Sequence, residues 1–214
     1  MNTDTEKMKP DFRLYLITDR KLFNSVEEML KTIEKALEGG VRAVQLREKG
    51  LGTRDLLSLA YDLRGLTNRY GAKLFVNDRV DIALAVDADG MHLGRTTIPV
   101  HAARKASGGS LMIGVSTHGI DEARKAQEDG ADFVTLGPVY ETPSKMQYGK
   151  PIGIQVLRGA SGDLSLPVYA IGGIRIDRIK EILQQGAYGI ALISAILTAE
   201  DVRKTTEEFM RELS

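Results

Sequence analysis

The 214-residue sequence predicts an α/β fold, an eight-stranded parallel (β/α)8 barrel, on three observations. First, one junction recurs along the chain: a helical pattern, a glycine, then a short apolar strand. Glu38-Gly39-Gly40 leads into residues 41–46, Tyr70-Gly71 into 72–76, Asp129-Gly130 into 131–136 and Gln185-Gly186 into 187–192. Glycine just past a helix takes the left-handed conformation without steric cost, and repeated junctions of this kind build a parallel sheet. Second, eight apolar runs stand near residues 12–18, 42–46, 73–76, 89–92, 111–115, 132–136, 167–171 and 188–192. That leaves about 27 residues per unit, the small end of the range for such a barrel. Third, the first strand runs into Thr18-Asp19-Arg20, not into the glycine fingerprint of an open dinucleotide-binding sheet.

The elements follow in order. Residues 1–9 are polar, have no apolar stretch and read as a flexible tail, not a signal peptide. Ser25-Val26-Glu27-Glu28 is a capping box, and Val26, Met29, Leu30, Ile33 and Leu37 continue as one apolar stripe at helical spacing. Leu56, Leu59, Ala60 and Leu63 form a second stripe, and Ile176, Ile179, Ile182 and Leu183 a later one. A helix is expected at 79–86, with Asp78 able to cap it, and a last helix at about 199–213. Residues 137–151 have no period, and a loop of that length reads as a lid, with Gly149 as a hinge and Lys145 carrying charge. No linker divides the chain, so residues 1–214 read as a single barrel domain.

Composition removes several classes of function. Lys+Arg and Asp+Glu both number 29, so a nucleic-acid coat is not expected. Cysteine is absent, which excludes disulfides, thiolate nucleophiles and Cys-bound zinc, and fits a cytoplasmic protein. Three histidines are too few for a His-rich metal site. No apolar run is long enough for a membrane helix. A homodimer is one assembly open to a barrel of this size.

In a TIM barrel the chemistry sits at the C-terminal ends of the strands. Here those ends carry Thr18, Asp19 and Arg20; Gln45, Arg47, Glu48 and Lys49; Asn77, Asp78 and Arg79; His92 and Arg95; Ser116, Thr117 and His118; Tyr140, Thr142, Ser144 and Lys145; Gly172 and Gly173; and Ser194. Ala170-Ile171-Gly172-Gly173 and the helix start at Ser194 point to a phosphate site of backbone N–H groups. Arg47, Lys49 and Lys145 suggest a second polyanion such as a diphosphate. Asp78 at a strand end beside a diphosphate would suit Mg²⁺, which takes one or two carboxylates and completes its shell with phosphate oxygens and water. His92 reads as a structural strand-end residue, His118 as a loop or cap residue and His101 as surface.

These residues carry a resemblance. Gln45-Leu46-Arg47-Glu48-Lys49, Asn77-Asp78, Asp81-Ile82-Ala83, residues 89–94, Gly114-Val115-Ser116, Gly137-Pro138-Val139-Tyr140, Thr142-Pro143-Ser144-Lys145 and Ile171-Gly172-Gly173-Ile174 stand in the order found in the thiamin phosphate synthase and TenI-type thiazole tautomerase family. The resemblance spans about residues 14–199. It implies a transferase that couples a hydroxymethylpyrimidine diphosphate to a thiazole phosphate with Mg²⁺, releasing pyrophosphate. Diphosphate departs first and leaves a pyrimidine methyl cation. It implies that Gln45 contacts the pyrimidine. The same resemblance implies that Arg47, Lys49, Asn77, Ser116 and Lys145 would hold the diphosphate, with Arg47, Lys49 and Lys145 as the catalytic cations, and that Asp78 would be the metal ligand. Thr142 and Ser144 lie over the thiazole, and Gly173 and Ser194 bind its phosphate. Two positions depart from the pattern. Thr97 stands where the synthase has a second acidic metal ligand, with Arg95 nearby, and Pro138 stands where the tautomerase has its catalytic His. A tautomerase, or a non-catalytic relative that binds a thiazole or thiamin phosphate, is the alternative.

Overall fold

The structure is a computed structural model that describes residues 8–142 and 150–214. Eight parallel strands close in chain order: β1 (Leu14–Ile17), β2 (Ala43–Leu46), β3 (Lys73–Asn77), β4 (Gly90–Leu93), β5 (Met112–Thr117), β6 (Phe133–Leu136), β7 (Val168–Ile171) and β8 (Gly189–Leu192), the last pairing with β1. Helices follow the strands on the outside: α1 (Val26–Glu38), α2 (Thr53–Arg69), α3 (Val80–Ala85), α4 (Val100–Ala106), α5 (Ile120–Glu128), α6 (Ile154–Asp163), α7 (Ile179–Gln184), α8 (Ser194–Leu197) and α9 (Val202–Leu213). The expected barrel and all eight expected strands are present. Gly40, Gly71, Gly130 and Gly186 take positive φ at the αβ junctions, as the repeat predicts.

Each strand is buried on both faces, and its alternate residues serve two different cores. Outward residues such as Leu14, Leu16, Val44, Leu46, Ile113 and Val134 pack under the helices. Inward residues form a separate cluster that includes Phe12, Tyr15, Phe75, Phe133 and Tyr169. Their ring centroids lie 5.2 Å (Tyr15–Phe75), 5.6 Å (Phe75–Phe133) and 5.3 Å (Phe133–Tyr169) apart, mostly edge to face. Room for these rings comes from glycine on the neighbouring strand. A Cβ on Gly90 would lie 2.4 Å from Phe75 Cε1, and one on Gly114 2.4 Å from Phe133 Cζ.

The N-terminal ends of the strands are tied by two like clamps. Arg64 of α2 pairs with Asp89 at 2.6 Å, and Asp89 accepts the Leu74 N–H at 2.8 Å. Arg104 of α4 pairs with Asp132 at 2.8 Å, and Asp132 accepts the Ile113 N–H at 2.7 Å. Each aspartate precedes one strand and bonds the strand before it, so the clamp fixes parallel register.

Four local expectations are corrected. Val26 is 42% exposed, because it sits in the first turn of α1, where the stripe has not yet reached the barrel. Ile176 is only half-buried and belongs to a 3₁₀ turn, not to α7. Met8 packs on the inner cluster and Pro10 is buried, its carbonyl accepting from the Tyr188 hydroxyl at 2.6 Å, so the expected tail is anchored at its inner end. Asp78 does not cap the helix after β3. Arg79 stands at that position, and Asp78, at φ 63°, turns its carboxylate to Gly94 instead.

The fit between rings and glycines sets a test. Gly114→Ala places a methyl group against Phe133 and 2.6 Å from His92 Nδ1. It should lower stability by about 1–3 kcal/mol as an overpacked core site. Urea unfolding measures this, and an unchanged midpoint would contradict the packing described.

Candidate active site

One step above the aromatic layer the lumen turns polar. Two residues on from Ala43, Phe75, Gly90, Gly114 and Phe133, the inward positions are Gln45, Asn77, His92, Ser116 and Thr135. Gln45 is buried and donates through Nε2 to the Tyr15 hydroxyl at 3.0 Å. Burial holds that phenol well above its usual range, so it stays neutral.

His92 is buried, with Nε2 3.0 Å from Ser116 Oγ and 3.5 Å from Thr135 Oγ1. Its Nδ1 is enclosed without a partner among the described residues. Burial, and secondarily the charge of Arg47, push the imidazole down to about 3. A base that weak takes no proton at neutral pH. An enclosed lone pair is a smaller penalty than an enclosed N–H. That assigns the hydrogen to Nε2, makes Ser116 the acceptor and leaves the serine hydrogen for the mouth. His92 therefore has the structural role expected from its position.

The rim is held by an acid the sequence reading left without a role. Glu48 accepts from Thr18 Oγ1 at 2.6 Å and from the Arg20 N–H at 3.0 Å, while the Arg47 N–H donates to Thr18 Oγ1 at 3.0 Å. The loops after β1 and β2 are thus locked together. Burial raises the Glu48 carboxyl, and the two donors oppose the rise. An acid between two cations at a strand end was the available signal, although it pairs with neither and bonds the β1 loop instead. The lock leaves Arg47 half-buried and Lys49 exposed, and neither joins an ion pair among the described residues.

Across the rim, Asn77 Nδ2 donates to Asp78 Oδ2 at 2.7 Å, and the Gly94 N–H donates to Asp78 Oδ1 at 2.9 Å. Each carboxylate oxygen keeps a further lone pair. Among the described residues no group of three or more acidic or histidine side chains could hold a metal. The Asp78 carboxylate, with Asn77 and Gly94 each holding one oxygen, is a hard oxygen donor of the kind Mg²⁺ takes when water and other oxygens complete its shell. Thr97 gives its hydroxyl hydrogen to the Gly94 carbonyl at 2.8 Å and braces the same turn. Arg95 is exposed beside it. His118 lies before α5, its N–H and ring on Glu122, and His101 is exposed on α4, both as expected.

The opposite side of the mouth differs from expectation in one respect. Gly172 and Gly173 have φ of 94° and 65°. A Cβ on Gly172 would fall 2.5 Å from Pro138 Cβ, and one on Gly173 2.5 Å from the Glu141 carbonyl oxygen. The missing side chains thus make room for the β6 loop. Ser194 opens α8 and is exposed, with Thr142 half-buried across the mouth. Ser144, Lys145 and the Gly149 hinge of the expected lid at 137–151 lie outside the described residues, which include its ends at 137–142 and 150–151. The structure therefore brings Gln45, Arg47, Asn77, Asp78 and Ser116 onto one arc from β2 to β5, with Lys49 at its edge, and places Gly173 after β7 and Ser194 after β8.

Comparison with known proteins matches this framework. Residues 14–196 match the family model of thiamine monophosphate synthase. The chain is 53% identical over 196 residues to a putative thiamine-phosphate synthase of Geobacter sulfurreducens, covering 92% of both chains. It is 42% identical over 199 residues to the thiamine-phosphate synthase of Halalkalibacterium halodurans, covering 93% of this chain and 94% of that one. It is similar to the solved thiamine phosphate pyrophosphorylase of Pyrococcus furiosus, with a TM-score of 0.85 at 43% identity over 94% and 95% of the two chains. The likeness to 3-hexulose-6-phosphate synthase, with a TM-score of 0.71 at 19% identity over 94% of this chain and 100% of that one, is one of fold alone.

The buried imidazole makes stability depend on pH. In the unfolded chain His92 titrates near 6.5, whereas in the fold it is pushed down to about 3. The unfolded state binds more protons between those values. Its contribution is therefore complete above pH 6.5 and is lost as pH falls toward 3, by up to about 1.4 kcal/mol per unit. Urea unfolding across that window should show the wild type losing stability more steeply than His92→Gln. Equal slopes would count against a buried neutral imidazole.

Proposed function

The chain belongs to the thiamine monophosphate synthase family, and from that premise we propose that it couples hydroxymethylpyrimidine diphosphate to a thiazole phosphate, releasing pyrophosphate. The observation that carries the reading is the arc from β2 to β5. Two cations without ion-pair partners among the described residues, Arg47 and Lys49, share one mouth with Asn77, Asp78 and Ser116.

The chemistry needs little more from the protein. Departure of diphosphate from the pyrimidine methylene leaves a cation that the ring's own amino group stabilises. The enzyme's task is to neutralise the charge that builds on the leaving group. Arg47 binds phosphate oxygens through its planar fork and Lys49 acts as a point charge. Ser116, held as an acceptor by His92, directs its own hydrogen outward, and Asn77 orients the Asp78 carboxylate. Asp78 would hold Mg²⁺ against the diphosphate, and the ion supplies further charge neutralisation there. Gln45 reads the pyrimidine from the floor. Thr142, with Ser144, covers the thiazole, and Lys145 completes the cationic set. The thiazole phosphate lies at Gly173 and Ser194. No strong base is required, in keeping with the neutral His92. The tautomerase alternative, which needs a proton-moving group, is disfavoured by the same residue and by Pro138.

Pyrophosphate release from the purified protein with both substrates tests the proposal. Turnover should require Mg²⁺ and fall about 100-fold or more in Arg47→Ala, the order expected for losing one preorganised donor to developing charge. Asp78→Ala should raise the Mg²⁺ concentration needed for half-maximal rate. Absence of release from folded protein would transfer the assignment to a thiazole-phosphate binder or tautomerase.

A further inference from the structure

Three side chains outside the roles assigned so far form a connected strut at the β7 side of the mouth. Arg178 ends the 3₁₀ turn before α7 and donates through Nη1 to the Gly173 carbonyl at 2.6 Å. Its guanidinium carbon stands 4.2 Å from the centroid of the Tyr140 ring, within cation–π range. The Tyr140 hydroxyl donates to Glu181 Oε2 at 2.7 Å, one turn along from Arg178. Burial foremost, then Glu181, push that hydroxyl up to about 12, so it remains a donor at any working pH.

The strut acts on two peptide planes. In a trans peptide the C=O and the following N–H point in opposite directions. The Tyr140 N–H holds the Gly172 carbonyl at 3.1 Å, which turns the Gly173 N–H away from the β6 loop. Arg178 holds the Gly173 carbonyl, which in the same way sets the Ile174 N–H. Two successive positive φ angles make this turn one of the more freely rotating parts of the backbone if nothing fixes it.

We propose that Arg178, braced by Tyr140 and Glu181, is a positioning residue that aims the Ile174 N–H, beside the Gly173 N–H set by the Tyr140 backbone, at the phosphate of the acceptor substrate. This rests on the reading that the thiazole phosphate lies at the β7–β8 end of the mouth. Arg178 works through the backbone, so its loss should weaken one substrate and spare the other.

The test is steady-state kinetics with each substrate varied in turn, with thermal melts of every variant. Arg178→Ala should raise KM for the thiazole phosphate about 10-fold, the size of one lost charge-assisted hydrogen bond, while KM for the pyrimidine diphosphate changes less than about twofold. Arg178→Lys keeps the charge without the planar fork and should not restore the lost KM. Tyr140→Phe keeps the stacked ring but loses the bond to Glu181 and should fall between wild type and Arg178→Ala, whereas Tyr140→Ala should follow Arg178→Ala. A rise in both KM values together, full rescue by lysine, or a lower melting temperature with unchanged kinetics would overturn the proposal. If the wild type shows no turnover, the functional reading falls by itself. Calorimetric titration of the thiazole phosphate into wild type and Arg178→Ala then decides the strut. Weaker binding by the variant supports it, and equal binding or none overturns it.

Discussion

The contact of Tyr15, Phe75, Phe133 and Tyr169 inside the barrel is the constraint from which the rest of the mouth is measured. Burial of rings this size is worth a few kcal/mol each, and their edge-to-face packing adds direction that aliphatic side chains lack. Because the rings are wide, the opposing positions must be nearly empty, and Gly90 and Gly114 meet that need. The next inward residues, His92 and Ser116, then rest on a floor of fixed height. Gln45 is oriented by the hydroxyl of one of those rings, and His92 lies 5.7 Å from Tyr15 and 5.8 Å from Phe133. The polar floor therefore inherits its geometry from the aromatic layer beneath it.

Above that floor, order is imposed by hydrogen bonds between loops rather than within them. Glu48 joins the first two strand-end loops, Asp78 and Thr97 brace the turn at Gly94, and Tyr140 ties the β6 loop to the glycines after β7. Each link uses groups that are short in reach and partly shielded from water, which makes their geometry more exacting than that of exposed ion pairs. Arg47 and Lys49, with no ion-pair partner among the described residues, keep charge to offer outward.

Much of this was legible beforehand for a definite reason. A glycine after a helix followed by a β-branched run is a local signal, and it located the strands to within a few residues. Strand ends are likewise local, so Gln45, Arg47, Asn77, Asp78 and Ser116 could be placed at the mouth. What stayed hidden depended on partners distant in the chain. Nothing in Gly172-Gly173 says that Pro138 and Glu141 press against them, so the packing space the pair provides was hidden. Arg178 bonds a carbonyl five residues back and stacks on a ring thirty-eight residues back, and no local pattern marks it. Asp78 fitted a helix cap by position, and only its positive φ and the approach of Gly94 decide otherwise.

The aromatic layer also governs traffic. Among the described residues the rings fill the lumen from below, which leaves the proposed reaction the mouth at the C-terminal strand ends as its doorway. Two phosphorylated reactants must enter by the opening through which pyrophosphate and the larger joined product leave. Arrivals and departures then compete for the same cationic rim, and a lingering pyrophosphate occupies the berth of the next diphosphate. In a barrel closed this way, turnover is a matter of queueing as much as of bond breaking, and the grip of the rim on its anions has to be firm enough to activate them yet loose enough to let them go.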